Sequence, residues 1–509
     1  MRRTSTGAVL GALMLAAALS GCDAKTELTA DGGHTQPAPN ALPQSSSAVA
    51  VQFGDQLRAR TTVDAMMGHL SALQDIADAH DGNRALGTAG YDASVDYVVD
   101  TLRDKGFDVR TPEFEVRLPF SEEPQLTVGG RAVSAKPLEF TIGTAPDGLI
   151  GPLVAAKQED TPGCEAGDYD GLPVAGAVVL VDRGACAFAD KQAVAAELGA
   201  VAMIVVNTNN DERMGGTLGR DTDVKIPVVS VTRDEGTRLR SELGPAALNL
   251  VAGVRTERTR NVIAQTSTGS TSDVVMAGAH LDSVPEGPGI NDNGSGVAAV
   301  LETALQLGSA PQVVNAVRFA FWGAEEEGLR GSTNYVESLD YEELKDIALY
   351  LNFDMLGSPN AGYFTYDGDQ SAPLEEQGRP RVPEGSAGIE RTLAGYLREA
   401  GKTPRDTSFD GRSDYDAFTM AGIPSGGLFS GAEGKMDTEE AKLWGGQVDQ
   451  PFDPNYHKDT DTLDKVNREA MQIHGEGVAF AVGLYAQDQR GRNGIPVRYD
   501  RTRHQITAR

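Results

Sequence analysis

Along residues 61–78, and again along 91–105, apolar side chains return every three to four positions, the spacing of an amphipathic helix. Gly106 stands where the second helix should end. Residues 107–118 then read as a strand. From about residue 121 to 255 the pattern changes to short apolar runs between turns, including 178–182, 202–206 and 226–231, which predicts an inserted, β-rich domain. After Arg260 strand and helix alternate: strand 273–279, helix 296–307, strand 316–322, a helix near Tyr335, strand 348–353. Such alternation predicts an α/β fold, a mainly parallel sheet with helices on both faces, whose ligands bind at the carboxyl edge of the strands. The main domain is therefore discontinuous, 61–120 and 256–490, around an insert at 121–255. The polar, basic stretch 491–509 is expected to be a frayed tail.

The N-terminus changes this picture. Arg2 and Arg3 precede an apolar run over 8–19 and then Leu19-Ser20-Gly21-Cys22. The run reads as an export signal over 1–22, because a stable spanning helix needs about 20 apolar residues. Small residues ending in a lone cysteine resemble a bacterial lipoprotein processing site. That resemblance implies a lipidated Cys22 as mature N-terminus, a membrane partner reached through the lipid, and a body outside the cytoplasm, either tethered or released. Residues 23–60, rich in Pro, Ser, Thr, Gly and Ala at their start, are expected to form a flexible linker. Cys164 and Cys186 then remain as an even pair in an exported chain, which predicts a disulfide.

Composition adds little. With 509 residues, 40% hydrophobic and 23% charged, the chain has globular proportions and length for two or three domains. The net charge of -28 opposes phosphate backbones, so no nucleic-acid partner is expected.

The candidate chemistry sits where strands end. His280-Leu281-Asp282 follows one strand, Asp292 lies in the Gly-rich loop beyond it, Glu325-Glu326 follows the next, Asp354 the third, and His457 arrives in a later turn-rich segment. Two imidazoles and three carboxylates make a nitrogen and oxygen set that suits zinc, with one carboxylate able to bridge two ions. Two divalent cations would roughly balance the three carboxylates, as in two-metal hydrolytic sites. Glu325 and Glu326 are adjacent and cannot point the same way, so one should bind metal and the other act as general base and acid.

In their contexts Gly278-Ala279-His280-Leu281-Asp282-Ser283, Gly289-Ile290-Asn291-Asp292-Asn293-Gly294-Ser295-Gly296, Trp322-Gly323-Ala324-Glu325-Glu326 and Asn352-Phe353-Asp354-Met355, these residues resemble the zinc aminopeptidases of family M28, most of all the Streptomyces-type secreted enzymes. The resemblance implies that His280 and Asp354 hold one zinc, Glu326 and His457 a second, that Asp292 bridges them, that Glu325 is the base and that Asp282 orients His280. Gly411-Arg412-Ser413-Asp414 resembles the loop lining the substrate pocket, and Tyr456 the tyrosine that polarises the scissile carbonyl. Close relatives often carry cysteines around that tyrosine and histidine. Here the segment is Asp453-Pro454-Asn455-Tyr456-His457-Lys458-Asp459, so no disulfide can lock it.

Within the insert, Gly167-Asp168-Tyr169-Asp170-Gly171, then 178–184, Cys186, Phe188 and Lys191 resemble a protease-associated domain. The expected activity is hydrolysis of N-terminal residues from peptides with a free N-terminus. Two alternatives share the metal set: a carboxypeptidase, for which Arg412 could meet a terminal carboxylate, and an N-acyl amino acid amidohydrolase. A non-catalytic binding protein of the same fold would be expected to have lost ligands, and none is missing. No Gly-x-Ser-x-Gly elbow of a serine hydrolase is present.

Overall fold

The computed structural model describes residues 46–158, 160–209, 214–371, 381–491 and 494–506. The expected signal segment and Cys22 lie outside them. Three helices, Ser46–Arg58, Val63–Ala79 and Ala89–Asp104, precede the main sheet. Among the described residues this sheet has eight strands, in the order Asp108–Arg110, Val262–Gln265, Asn315–Trp322, Ser270–His280, Ile347–Phe353, Ser425–Phe429, Phe364–Tyr366 and Arg405–Thr407. The four central strands, from Asn315–Trp322 to Ser425–Phe429, are parallel.

Successive side chains of a strand point to opposite faces, and both faces are covered here. Val275, Ala277, Val317, Phe319, Leu349 and Leu351 share one core with the helices Gly296–Leu307 and Arg468–Gln487. Met276, Ala320, Trp322 and Tyr350 share another with Leu344 and Phe418 of the helices Tyr341–Asp346 and Tyr415–Met420. Double-sided burial is why these strands read as nearly unbroken apolar runs.

The strand expected over 107–118 is two strands in two sheets. Asp108–Arg110 joins the edge of the main sheet, whereas Glu113–Ser121 pairs antiparallel with Ala252–Arg260 as a ribbon leading to the insert. Pro112 lies at the break. It has no N–H to give a ladder, while its carbonyl accepts from Asn261 N at 3.1 Å. Beyond the ribbon a second eight-stranded sheet is built around the parallel strands Leu149–Ala155, Val178–Asp182, Ala202–Val206 and Val228–Val231, with the helices Phe188–Glu197 and Arg233–Ser241. Cys164 and Cys186 are joined in it by a disulfide, with Cα atoms 6.0 Å apart.

Two expectations are corrected. The linker does not extend to residue 60, because Ser46–Arg58 is a helix whose Ala50 and Leu57 are buried. It packs along Arg468–Gln487 at close range: a Cβ on Gly483 would lie 2.9 Å from the Cα of Gly54. Nor is the tail frayed over 494–506. Arg501 and Arg503 are buried, Arg501 reaching Asp273 and the carbonyls of Ser272 and Lys345, Arg503 those of Leu344, Ile347 and Gly422. Among the described residues no helix is long and apolar enough to cross a membrane.

Candidate metal centre

Three neighbouring parallel strands end side by side. His280 closes Ser270–His280, Glu325 and Glu326 occupy the turn after Asn315–Trp322, and Asp354 follows Ile347–Phe353. Asp292 lies in the turn Ile290–Ser295 that opens the helix Gly296–Leu307. His457 is brought over them by a loop.

Asp292 stands between the two histidines. Its Oδ1 is 3.2 Å from His280 Nε2 and its Oδ2 is 3.2 Å from His457 Nε2. Each histidine also faces a carboxylate of its own: Asp354 Oδ1 at 3.4 Å from His280 Nε2, and Glu326 Oε2 at 3.1 Å from His457 Nε2. Glu325 Oε2 lies farther off, 3.9 Å from His280 Nε2. The sequence-predicted residues therefore converge in two histidine–carboxylate pairs that share one carboxylate.

The carboxylates of the cluster, Asp292, Glu325, Glu326 and Asp354, outnumber its two imidazoles. Burial alone would lower the His280 pKa, yet Glu325, Asp354 and Asp292 outweigh it and hold it well above the usual value. His457 is pulled down by burial but carried up to about 10 by Asp292 and Glu326. Burial, with the charge of Asp292, pushes Glu326 up to about 7. Burial also raises Glu325, and the charges of Glu326, Asp414 and Asp354 add to the effect against the pull of His280. Glu326 Oε1 and Asp354 Oδ1 are buried without a hydrogen-bond partner. Buried anionic oxygens left bare are costly, and a nitrogen and oxygen donor set short of cations fits divalent ions such as zinc.

Side chains around the cluster fix its members. Trp322 Nε1 donates to Tyr350 Oη, which donates to Asn352 Oδ1; Asn352 Nδ2 donates to Ser413 Oγ, which donates to Asp354 Oδ2 at 2.6 Å. Asp461 accepts from the backbone N–H groups of Asn291 and Asp292. Arg84 is fully buried and donates to the carbonyls of Leu281, Pro288 and Gly289, which clamps the loop between His280 and Asp292.

The role expected for Asp282 differs in detail. His280 Nδ1 lies 3.1 Å from the Asp282 carbonyl oxygen, with the carboxylate at 3.8 Å. The carboxylate instead accepts from the backbone N–H groups of Glu325, at 3.1 Å, and Glu326, at 3.2 Å. Asp282 thus holds the histidine through its backbone and the glutamate turn through its side chain.

The His457 loop is locked without a disulfide. Asp453 accepts from Asn455 N and from Asn291 Nδ2, each at 2.7 Å, and Lys458 N donates to the Asn455 carbonyl. Tyr456 stacks on His457 at 3.8 Å and its hydroxyl takes a hydrogen bond from Arg412 at 3.2 Å. Arg412 also pairs with Glu433 at 2.8 Å. The cluster forms the floor of a cleft of about 520 Å³, whose wall includes Met355, Phe364, Phe429 and Phe452 beside Arg412 and Tyr456.

A parallel sheet with imidazoles and carboxylates gathered at its carboxyl edge is the arrangement expected of a metal-dependent hydrolase. Comparison with known proteins narrows this. Residues 261–482 match the model of peptidase family M28 and 149–239 that of the PA domain. The chain is 66% identical over 464 residues to the probable lipoprotein aminopeptidase LpqL of Mycobacterium tuberculosis, covering 91% of this chain and 93% of that one. It is 42% identical over 440 residues to an aminopeptidase of Pseudomonas aeruginosa, covering 81% and 78%. Among solved structures, the aminopeptidase from an Aneurinibacillus species superposes with a TM-score of 0.65 at 27% identity, covering 84% of this chain and 95% of that one. A zinc aminopeptidase from Bacillus subtilis does so with a TM-score of 0.57 at 26% identity, covering 85% and 98%. The chain belongs to peptidase family M28 and carries a PA domain.

Proposed function

We propose that this chain is an extracytoplasmic aminopeptidase, lipid-anchored through Cys22, that hydrolyses N-terminal residues from peptides with two zinc ions. The names of its relatives support the aminopeptidase activity, and that of the zinc aminopeptidase from B. subtilis the metal. The observation that carries the reading of two ions is Asp292, whose two oxygens each lie 3.2 Å from a different imidazole. His280 and Asp354 would hold one ion, His457 and Glu326 the other, and Asp292 both. Zinc bound there would supply Lewis acidity to the scissile carbonyl and to the attacking water.

The chain's own groups do the rest. Glu325, the carboxylate set farther from His280, accepts a proton from the attacking water as oxygen bonds to the carbonyl carbon. It returns that proton to the leaving amine as the carbon–nitrogen bond breaks. Its place at the edge of the cluster, 3.9 Å from His280 Nε2, suits proton transfer rather than metal binding. The Tyr456 hydroxyl is suited to donate to the developing oxyanion. Met355, Phe364, Phe429 and Phe452 offer an apolar seat for the first side chain.

The carboxypeptidase alternative needs a cation free to meet a terminal carboxylate. Arg412 is engaged by Glu433 and Tyr456, which weighs against it. The lipid anchor and extracytoplasmic site rest on the Leu19-to-Cys22 sequence and on the lipoprotein name of the M. tuberculosis relative. Peptides with free and with acetylated N-termini test the activity. Release of the first residue from the free peptides alone is expected; release from the carboxyl end, or deacylation of acetylated amino acids, would overturn the reading.

A further inference from the structure

The turn that carries Glu325 and Glu326 is held in a conformation its residues do not favour. Ala324 and Leu329 have φ of 57° and 61°, left-handed values for residues with a Cβ, and Gly328 has φ of 90°. Such backbone persists only where surrounding contacts over-determine it. Some of these contacts come from within the peptidase fold. Asp282 takes the N–H groups of Glu325 and Glu326, and the Glu325 carbonyl accepts from Gly328 N at 2.8 Å and Leu329 N at 2.7 Å.

The Glu327 carbonyl, at the outer side of the turn, is met from the inserted domain. Arg220 Nη2 donates to it at 2.8 Å, while Arg220 Nη1 donates to the carbonyl of Arg117 on the connecting ribbon. The guanidinium lies over the Phe140 ring, 5.2 Å from its centroid. Arg220 is half-buried with two cations, Arg330 and Arg117, close by. Burial and those charges lower its pKa to about 10 against the pull of Glu327 and Asp221. Burial and the neighbouring cations disfavour the charge there, so carbonyl contacts and the aromatic seat must help hold the guanidinium.

We propose that Arg220 is a positioning residue for catalysis: through it the PA domain sets the pose of the turn bearing the proton-transfer glutamate and its metal-binding neighbour. The inference rests on the reading of Glu325 given above. A purely structural tie between domains would change stability and leave turnover alone. A substrate-binding arginine would change KM.

The test uses the full chain at saturating zinc, with kcat, KM and melting temperature measured for Arg220→Ala, Arg220→Lys and, as reference, Glu325→Gln. Arg220→Ala should fold, keep KM and lose about ten- to a hundredfold in kcat, the scale set by small misplacements of reacting groups. Arg220→Lys keeps a cation but not the planar fork that spans two carbonyls, and should recover part of the loss. Folded Arg220→Ala with wild-type kcat, or with a changed KM alone, overturns the proposal. If Arg220→Ala does not fold, Phe140→Leu, which loosens the guanidinium seat away from the cleft, must show the same kcat loss at unchanged KM; wild-type kcat there overturns it. Full activity in Glu325→Gln would instead remove the reading beneath, which keeps the two failures apart.

Discussion

Glu325 and Glu326 are neighbours in the chain and face different partners. Glu326 Oε2 is 3.1 Å from His457 Nε2, whereas Glu325 lies 3.9 Å from His280 at the edge of the cluster. Substitutions at the two should differ in kind. Glu325→Gln is expected to keep bound zinc and KM while kcat falls by about 10² to 10⁴ or more, because a proton-transfer role is lost without a ligand. Glu326→Gln is expected to weaken zinc itself. Metal analysis alongside turnover decides between them, and the opposite pattern would reverse the two roles. The candidate ligands were legible in the sequence because three of them, His280, Glu326 and Asp354, stand at or just past the ends of apolar strands, where a carboxylate or imidazole breaks an apolar run. Arg84 and Asp461 were not. Their partners are backbone groups some 170 to 205 residues away, and a side chain whose whole role is to bind distant backbone leaves no local pattern. Asp282 was legible as a neighbour of His280, but the use of its carboxylate on the glutamate turn depends on strand register.

Among elements, the parallel strands and the helices Val63–Ala79 and Gly296–Leu307 follow the apolar periodicity to within a few residues. The first helix, Ser46–Arg58, escaped it because its contact with Arg468–Gln487 is made partly through glycine. Gly54 and Gly483 bring the two backbones together where larger apolar side chains would have given a stronger signal. Arg468–Gln487 also carries His474, fully buried, stacked on Tyr363 and donating from Nδ1 to the Leu356 carbonyl at 2.9 Å. Its Nε2 has no partner, and burial lowers its pKa to about 4 from an ordinary 6.5. The folded state therefore resists a proton that the unfolded state accepts. The stability gained by keeping His474 neutral is complete above pH about 6.5, declines as the pH falls and is gone below about 4, a loss of about 3 kcal/mol. Urea unfolding at pH 7 and 4.5 should show a smaller acid loss for His474→Gln than for the wild type. Equal losses would mean that the histidine titrates normally.

At the scale of the whole molecule, an inserted sheet reaches back through the ribbon Glu113–Ser121 and Ala252–Arg260 to the turn that bears the glutamates, and residues 494–506 strap the far side of the peptidase fold. The sequence led to the expectation of a discontinuous arrangement through its change of pattern near 121 and 255. It missed the strap, whose buried arginines pair with carbonyls and so look like solvated charge. Beyond the described residues, Cys22 carries its own prediction. Cys22→Ala should move the protein from the membrane fraction to the soluble one and leave the precursor unprocessed at that site; unchanged membrane retention and maturation would exclude a lipid anchor there. For the enzyme itself, zinc can be titrated into metal-stripped protein while bound metal per chain and release of an N-terminal residue are followed together. Two equivalents bound per chain, with turnover restored as the sites fill, is the expected result. Saturation at one equivalent with full activity, or turnover that survives complete removal of metal, would contradict the two-zinc centre built around Asp292.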